Sequence, residues 1–449
     1  MHQRTFLAAG QWPTTARTAR ARVLTAALTV ALTAALTGGL TDAQAQTAAP
    51  LLQQSQPTLR EAFEAAWARQ PEAQALAARR DAARAQQQAV HAWTPEPVAL
   101  ELATKTDRLN RNFGTREYEV GVAIPLWLPG ERGRSQALAD AEGRAVESRA
   151  TAAQLRVAAT VREAWWSWQR ARAELDGARG QLDNVLRIAA DVGKRLKAGD
   201  LARADQHQAD GAVAAAEAAM AQSQSALTAA QQQLRSITAM PGAAANNAAN
   251  SAADSTAAES EPPPAATPTG DTDNHAELLA LQDQTAVAER AAALAATQSR
   301  ASPELTVAAT RDRGVYGESY QQTWTVGVRI PFGAGPRHGA RVASARADAV
   351  ELQAQMALAR ARLAGEREAA RARTDAARAQ LAAADRRAQL ARESRGFFDK
   401  SFRLGETDLP TRLRIEAEAA DADRQAARAR LELAAAVSAW RQALGLLPQ

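Results

Sequence analysis

The chain has 449 residues, with 54 Lys and Arg, 49 Asp and Glu, no Cys and only 4% aromatic residues. The absence of Cys excludes disulfide frameworks, thiolate zinc sites, Cys nucleophiles and Cys-borne lipid anchors. The net positive charge does not indicate a nucleic-acid partner, because residues 1–45 hold four Arg against one Asp, leaving an excess of two basic residues elsewhere. A composition rich in Ala, Gln, Arg, Leu and Glu is typical of long helices.

The first 45 residues have the pattern of an export signal. An Arg-bearing start is followed by an apolar stretch from Val23 to Leu36 and by the small-residue triplet Ala43-Gln44-Ala45. The apolar stretch is short and rich in Thr for a membrane span, which favours cleavage over the alternative of a retained anchor. We therefore expect cleavage after Ala45 and an exported mature protein with no transmembrane helix.

A low-complexity segment separates two similar halves. Residues 241–273 are poor in large apolar residues and rich in Ala, Asn, Ser and Pro, which predicts a disordered linker. Three landmarks recur on either side at a constant offset of 206 residues: Pro97 and Pro303, Gly121 and Gly327, Gly199 and Gly405. This pattern predicts a duplicated unit, with a first repeat over 57–240 and a second over 274–449.

Each repeat combines helices with two short strands. The capping box from Thr58 to Glu61 and the proline at Pro71 predict two helix starts in the first repeat. Strict alternation of apolar with small or polar residues predicts strands over 98–106, 117–124, 304–310 and 323–330. A helical stretch of about 100 Å follows each strand pair and then reverses at a glycine. In the first of these stretches a seven-residue repeat predicts a coiled-coil seam: Val161, Trp168, Leu175, Leu182, Ala189 and Leu196.

The strands are long enough to cross a bilayer. About nine residues at 3.3 Å each span roughly 30 Å, the thickness of the hydrocarbon core. A half-buried hairpin in a soluble domain is the alternative, but export and the absence of other predicted strands favour an outer-membrane barrel. Its apolar face would meet lipid, and its other face would direct four charged side chains into the lumen: Glu101, Lys105, Glu119 and Arg329.

Four strands cannot close a barrel, so the barrel must be shared between chains. Two copies would supply eight strands and three would supply twelve. A wider interior favours the larger number, although the strand arithmetic leaves both open. The predicted fold is mostly α with β: a long α-helical coiled-coil barrel joined to a transmembrane β-barrel with four strands per chain.

Several segments together resemble the outer-membrane efflux protein family of the TolC type. They are the opening TLREAFEAAWARQPEAQAL, the strand ends VGVAIPLW and VGVRIPF, and the turns KAGD and RLGETDL. The resemblance implies a homotrimer in the bacterial outer membrane whose helices form a tunnel across the periplasm. It further implies the exit duct of a tripartite efflux system, with a periplasmic adaptor (membrane fusion) protein and a proton-driven inner-membrane pump of the resistance-nodulation-division type. The turn SFRLGETDL resembles the heavy-metal branch, which implies metal cations as the exported solute.

The same resemblance implies where the adaptor docks and where the tunnel narrows. In the family the turn glycine marks the periplasmic tip, which here corresponds to Gly199, Asp200, Leu201, Leu404, Gly405, Glu406, Asp408 and Leu409. A carboxylate six residues after the glycine belongs to the entrance, and Asp205 meets that pattern. The second repeat departs from it with Thr411 and Arg414, although Asp408 lies close by. The alternative interpretation of Asp205 is a solvated charge on a helix.

The sequence contains no motif that predicts catalysis or cofactor binding. Its five His have no metal-ligand spacing, and it contains neither a Walker phosphate loop nor a nucleophile elbow. We therefore expect no enzyme activity, metal site, cofactor or nucleic-acid partner. The alternatives to an efflux duct are a type I secretion exit duct, an exported structural coiled coil without a transport role and, less favoured, a nucleic-acid-binding helical protein.

Overall fold

The computed structural model describes residues 58–110, 112–240, 261–264 and 273–449. The expected export signal and most of the expected linker lie outside these ranges. Within them the elements follow in this order: α1 Leu59–Ala68, α2 Pro71–Ala89, β1 Ala99–Thr106, β2 Arg116–Pro125, α3 Glu131–Ala198, α4 Arg203–Thr238, α5 Ala276–Thr297, β3 Glu304–Arg313, β4 Gln321–Arg329, α6 Pro336–Arg403 and α7 Leu409–Ala443.

The two halves share one order of elements. Each has a helical segment, a pair of strands, a very long helix and a returning helix. The long helices α3 and α6 both contain 68 residues, about 100 Å at 1.5 Å per residue. None of the helices in the described ranges is long and apolar enough to cross a membrane.

Local signals position the first helices. Thr58 accepts a hydrogen bond from the backbone N–H of Glu61, whose carboxylate in turn accepts one from the Thr58 N–H. This reciprocal pair is the predicted capping box. Pro71 is the first residue of α2, a position where the missing N–H has no helical partner to lose.

The four strands form one antiparallel sheet in the order β1-β2-β3-β4. The central pair, β2 and β3, comes from the two different halves of the chain. β3 continues to Arg313, three residues beyond the predicted end, because Arg311 and Asp312 pair with Gln322 and Gln321 through the backbone ladder. Side-chain alternation could not reveal this polar extension.

The coiled-coil seam of α3 follows the prediction only in part. Val161, Trp168 and Leu175 are buried as expected, but farther along α3 the buried positions are Ala178, Val185, Ile188 and Val192. Leu182, Ala189 and Leu196 are only half-buried. A straight helix has 3.6 residues per turn, so a strict seven-residue stripe drifts around it by about 20° per heptad. The face that meets the neighbouring helices therefore changes along α3.

Candidate functional site

The sheet has one apolar face, which we call the apolar face throughout. The strand register aligns Leu102, Val120, Ala309 and Trp324 in one cross-strand row and Leu100, Val122, Val307 and Val326 in the next. Residues directly opposite each other in a ladder share a face. Trp324 and Val326 are 69% and 70% exposed, so this face is uncovered in the single chain.

The opposite face, the polar face, contains all four side chains predicted to face the lumen. Glu101 and Glu119 lie on β1 and β2, while Lys105 and Arg329 lie at opposite ends of the sheet. Lys105 is 3.4 Å from the carboxylate of Glu117, and Arg329 is 3.6 Å from that of Glu304. The structure therefore brings the four predicted residues to one surface.

Small residues crowd the middle of the polar face. Gly121, Ala123 and Ala308 are buried there, whereas the larger residues on the apolar face are exposed. A Cβ added to Gly121 would lie 3.2 Å from the Cβ of Ala308, closer than most such contacts. The middle of the polar face is therefore tightly packed, whereas the apolar face is uncovered in the single chain.

Both long helices end in the same glycine turn. Gly199 and Gly405 have φ angles of 88° and 79°, in the left-handed region that side chains disfavour. The N–H of Asp200 donates to the Arg195 carbonyl at 3.0 Å, and the N–H of Glu406 donates to the Ser401 carbonyl at 3.0 Å. These bonds define a Schellman motif, which satisfies the last carbonyls of each helix.

Below the two turns lies an apolar cluster that we call the tip cluster: Ile188, Val192, Ala209, Phe402 and Leu409. The guanidinium groups of Arg195 and Arg412 lie 4.6 and 4.5 Å from the centroid of the Phe402 ring. Arg412 also pairs with Asp399 at 2.9 Å and with Asp191 at 3.3 Å. This arrangement joins the ends of α3, α6 and α7, and sequence reasoning missed it because its members lie in both repeats.

The predicted tip residues divide into exposed and buried groups. Leu404 is 74% exposed, and Gly199, Asp200, Gly405 and Glu406 are exposed beside it. Leu409 is only 2% exposed and Leu201 packs against the same tip cluster. Leu409 therefore does not belong to the exposed surface of the tip, because its side chain is buried in the tip cluster.

Asp408 begins α7 as its N-cap. Its carboxylate accepts a hydrogen bond from the Thr411 N–H at 3.2 Å. Hydrogen bonds from the Thr411 hydroxyl and backbone hold the pKa of Asp408 below its usual value. The charged carboxylate therefore stabilises the start of the helix.

The predicted entrance residues have local roles within the single chain. The Asp205 carboxylate accepts a hydrogen bond from the Ala202 N–H at 2.9 Å, at the beginning of α4. Arg414 pairs with Glu418 at 2.7 Å one turn farther along α7, and Thr411 is half-buried. The Asp205 carboxylate therefore caps the start of its own helix.

The described part of the expected linker, residues 261–264, departs from the expectation of disorder. The Glu261 side chain is 1% exposed and accepts hydrogen bonds from Arg162 of α3 at 2.7 Å and from Arg441 of α7 at 3.2 Å. The Ser438 hydroxyl donates to the same carboxylate. Composition could not reveal this site, because the local sequence of a Pro- and Ala-rich segment does not indicate that Glu261 pairs with distant arginines.

Comparisons with known proteins agree with this architecture. Residues 62–240 match the family model described as outer membrane efflux protein. No curated protein matches the chain by sequence.

Several solved structures are similar to the chain in fold. CusC, a transmembrane channel former, matches with a TM-score of 0.69 and 18% identity over 87% of this chain and 92% of that one. The outer membrane protein VceC from Vibrio cholerae matches with a TM-score of 0.66 and 17% identity over 87% and 97%. The outer-membrane channel OprN matches with a TM-score of 0.67 and 21% identity over 87% and 90%. The fold is therefore that of outer-membrane channels over nearly the whole described chain.

Proposed function

We infer that the chain, whose residues 62–240 match the model of the outer membrane efflux protein family, is a member of that family. From this premise we propose that it is one subunit of a trimeric exit duct. The strands of three copies would form one barrel in the outer membrane, and the long helices would form a tunnel across the periplasm. The two halves of each chain would be products of an internal duplication, as their common order of elements supports.

The single observation that carries this proposal is the two-faced sheet with two free edges. β1 and β4 each have one neighbour in the sheet, and an open sheet edge does not occur in hydrocarbon. Pairing β4 of one copy with β1 of the next removes the edges, and three copies pool twelve strands. The apolar face then meets lipid, and the polar face lines an interior wide enough for a solute.

The long helix α6 offers a second support for assembly. Leu390, Phe397 and Leu404 recur at seven-residue spacing toward its C-terminal end and are 66%, 68% and 74% exposed. A heptad stripe of this kind is the pattern by which helices pack in coiled coils. We infer that a neighbouring subunit covers Leu390 and Phe397, the part of this stripe that lies farther from the tip.

We expect the detergent-extracted protein to have three times the mass of the mature chain. Extraction from an outer-membrane fraction followed by light scattering with detergent subtraction measures this mass directly. A monomer in the soluble periplasmic fraction would contradict the proposal and favour an exported structural coiled coil. Export of a protein substrate by the intact assembly would instead identify a type I secretion duct.

The charge of the polar face supports cations as the exported class. The polar face carries five strand carboxylates and only two basic side chains, Lys105 and Arg329. The carboxylates are those of Glu101, Glu117, Glu119, Glu304 and Asp312. Two of the carboxylates are paired with those bases, and the other three form no ion pair within the described residues. Three copies would multiply this negative excess around one lumen.

We expect the reconstituted channel to be cation-selective in a planar bilayer. The reversal potential in a KCl gradient measures this preference, and Glu101→Gln with Glu119→Gln should shift it toward zero. Thr325→Ala, on the same face but uncharged, should leave it unchanged. Anion selectivity of the unmodified channel would reject cations as the substrate class without affecting the duct.

The exposed tip residues are the proposed docking surface for a periplasmic adaptor, which would connect the duct to an inner-membrane pump of the resistance-nodulation-division type. Both glycine turns present an uncovered surface: apart from the adjacent residues, no atom of the described part of the chain lies within 4 Å of a Cβ added to Gly199 or Gly405. A side chain there meets no steric obstacle, but the positive φ makes it costly by about 1 kcal/mol or more.

We expect Gly405→Leu to weaken adaptor binding while leaving the trimer in the membrane. The strained turn would displace Leu404 and Glu406, and the penalty is small compared with the stability of the whole helix bundle. Gly365→Leu is the matched control, because Gly365 lies within α6, about 60 Å from the Gly405 turn at 1.5 Å per residue.

Cross-linking provides the direct measurement. The chain has no Cys, so Asp200→Cys and Glu406→Cys each supply a unique site for attachment to a co-expressed adaptor. Cross-links should form from both positions. Cross-links found only from Asn110→Cys, in the loop between β1 and β2, would reverse the proposed orientation.

A further inference from the structure

The charged residues of the sheet are sorted between its two faces. All five strand carboxylates lie on the polar face, whereas the charged residues of the apolar face are three arginines: Arg116, Arg311 and Arg313. All three lie at the end of the sheet that carries the hairpin loops. The solute path cannot explain them, because they face away from it.

The three arginines are close enough in the sheet to repel one another, and this repulsion destabilises the sheet unless an anion neutralises it. Arg116 and Arg313 are opposite each other in the ladder between β2 and β3, and Arg311 lies opposite Tyr118 in the next row. Like charges directly opposite on a sheet destabilise it. None of the three arginines forms an ion pair in the described part of the chain.

Aromatic rings hold these guanidinium groups. Arg311 and Arg313 lie 4.9 and 5.0 Å from the ring centroid of Tyr320, and Arg313 lies 5.5 Å from that of Tyr316. The ring of Tyr118 is 6.4 Å from that of Tyr320. We call this set the arginine-tyrosine patch: Arg116, Tyr118, Arg311, Arg313, Tyr316 and Tyr320.

The nearby loop carboxylates are already used by the backbone. Asp107 accepts a hydrogen bond from the Phe113 N–H at 2.6 Å, and Glu318 accepts one from the Gly314 N–H at 2.9 Å. The two loops also bind each other, because the Tyr316 N–H donates to the Phe113 carbonyl at 3.0 Å. The two loops beside the patch are thus joined to each other, and within the described residues no carboxylate forms an ion pair with its arginines.

The patch borders the apolar band directly. The row of Tyr118 and Arg311 is two residues, or about 7 Å, from the row of Val120, Ala309 and Trp324. Tyrosine and arginine at this height match the polar headgroup region of a membrane, where Tyr rings and guanidinium groups reach lipid polar atoms.

We propose that the arginine-tyrosine patch binds the phosphate groups of anionic lipid in the outer leaflet, and this inference rests on the proposed outer-membrane location. Guanidinium groups bind phosphate oxygens in a bidentate manner, and an apolar face immediately below receives the acyl chains. A trimer would carry three such sites around its outer rim. Bound lipid would neutralise the facing arginines and fix the depth of the barrel in the bilayer.

The test is titration of the detergent-purified trimer with diphosphoryl lipid A, followed by calorimetry. We expect Arg311→Gln combined with Arg313→Gln to reduce the affinity at least tenfold. Lys105→Gln is the matched control, because Lys105 lies at the same end of the sheet but on the polar face. The affinity of this variant for diphosphoryl lipid A should stay within twofold of the wild-type value. Arg116→Gln alone supplies an independent variant with a loss in the same direction.

Three further outcomes identify the source of any binding. Dephosphorylated lipid A should bind the wild type and the double variant equally weakly, and millimolar inorganic phosphate should not compete. A trimer whose double variant binds diphosphoryl lipid A as tightly as the wild type would overturn this inference and leave the duct intact. A soluble monomer would overturn the proposed function and this inference together.

Discussion

Replacing Glu261 with Gln is expected to lower the free energy of unfolding by about 3–5 kcal/mol, the usual cost of breaking a buried ion pair. The carboxylate lies between two guanidinium groups from α3 and α7, and the arginine side chains are only 5% exposed. Gln has nearly the same shape but no charge, so Arg162 and Arg441 would remain buried without an anion. Their contacts with the Leu446 and Pro262 carbonyls compensate only in part.

Denaturant unfolding at one fixed protein concentration measures this effect, because the stability of an oligomer depends on concentration. Glu64→Gln is the matched control, since Glu64 pairs with Arg60 on an exposed helix face, and it should cost no more than about 0.5 kcal/mol. Equal effects of the two substitutions would show that Glu261 does not hold α3 and α7 together.

The rest of the connecting segment should tolerate replacement. Residues 241–260 lie outside the described part of the chain, and a Gly/Ser sequence of equal length would leave Glu261 in place. We expect normal assembly and export from this variant. Comparing this variant with Glu261→Gln shows whether the protein needs only a connection between its halves or specifically the Glu261 carboxylate.

Replacing Val120 with Arg is expected to destabilise the membrane-inserted barrel by up to about 2–4 kcal/mol, the cost of an arginine at the bilayer midplane, with a smaller loss nearer the headgroups. Val120 belongs to the apolar face and is 52% exposed in the single chain. An arginine there would place a charge in hydrocarbon, at a row where the structure holds only apolar side chains. Reversible urea unfolding in lipid vesicles measures the loss.

Glu119→Arg provides the control for this prediction. Glu119 precedes Val120 in β2 and lies on the polar face, opposite Ala103 and Thr310. Its replacement changes the charge of the lumen but keeps the side chain in water, so it should cost much less. The reverse order of costs would mean that the assigned faces are exchanged, as a register slip of one residue produces.

Local order was accessible from the sequence alone. The capping box at Thr58, the start of α2 at Pro71 and the reversals at Gly199 and Gly405 follow from residues within a few positions of each other. Strand alternation depends only on the period of two, and it therefore predicts that Glu101 and Val120 lie on opposite faces of the sheet, as the strand register shows. These features depend on backbone sterics and short-range hydrogen bonds.

Only the tertiary structure decided which distant residues meet. The pairing of β2 with β3 extends β3 to Arg313, the tip cluster buries Leu409, and Glu261 joins two helices that lie 99 and 180 residues away along the chain. The sequence contains 54 basic and 49 acidic residues, and nothing local distinguishes the few that become buried partners. Helix periodicity determines which residues of α3 share an apolar face. The packing of the neighbouring helices determines which of those residues are buried at each point along α3.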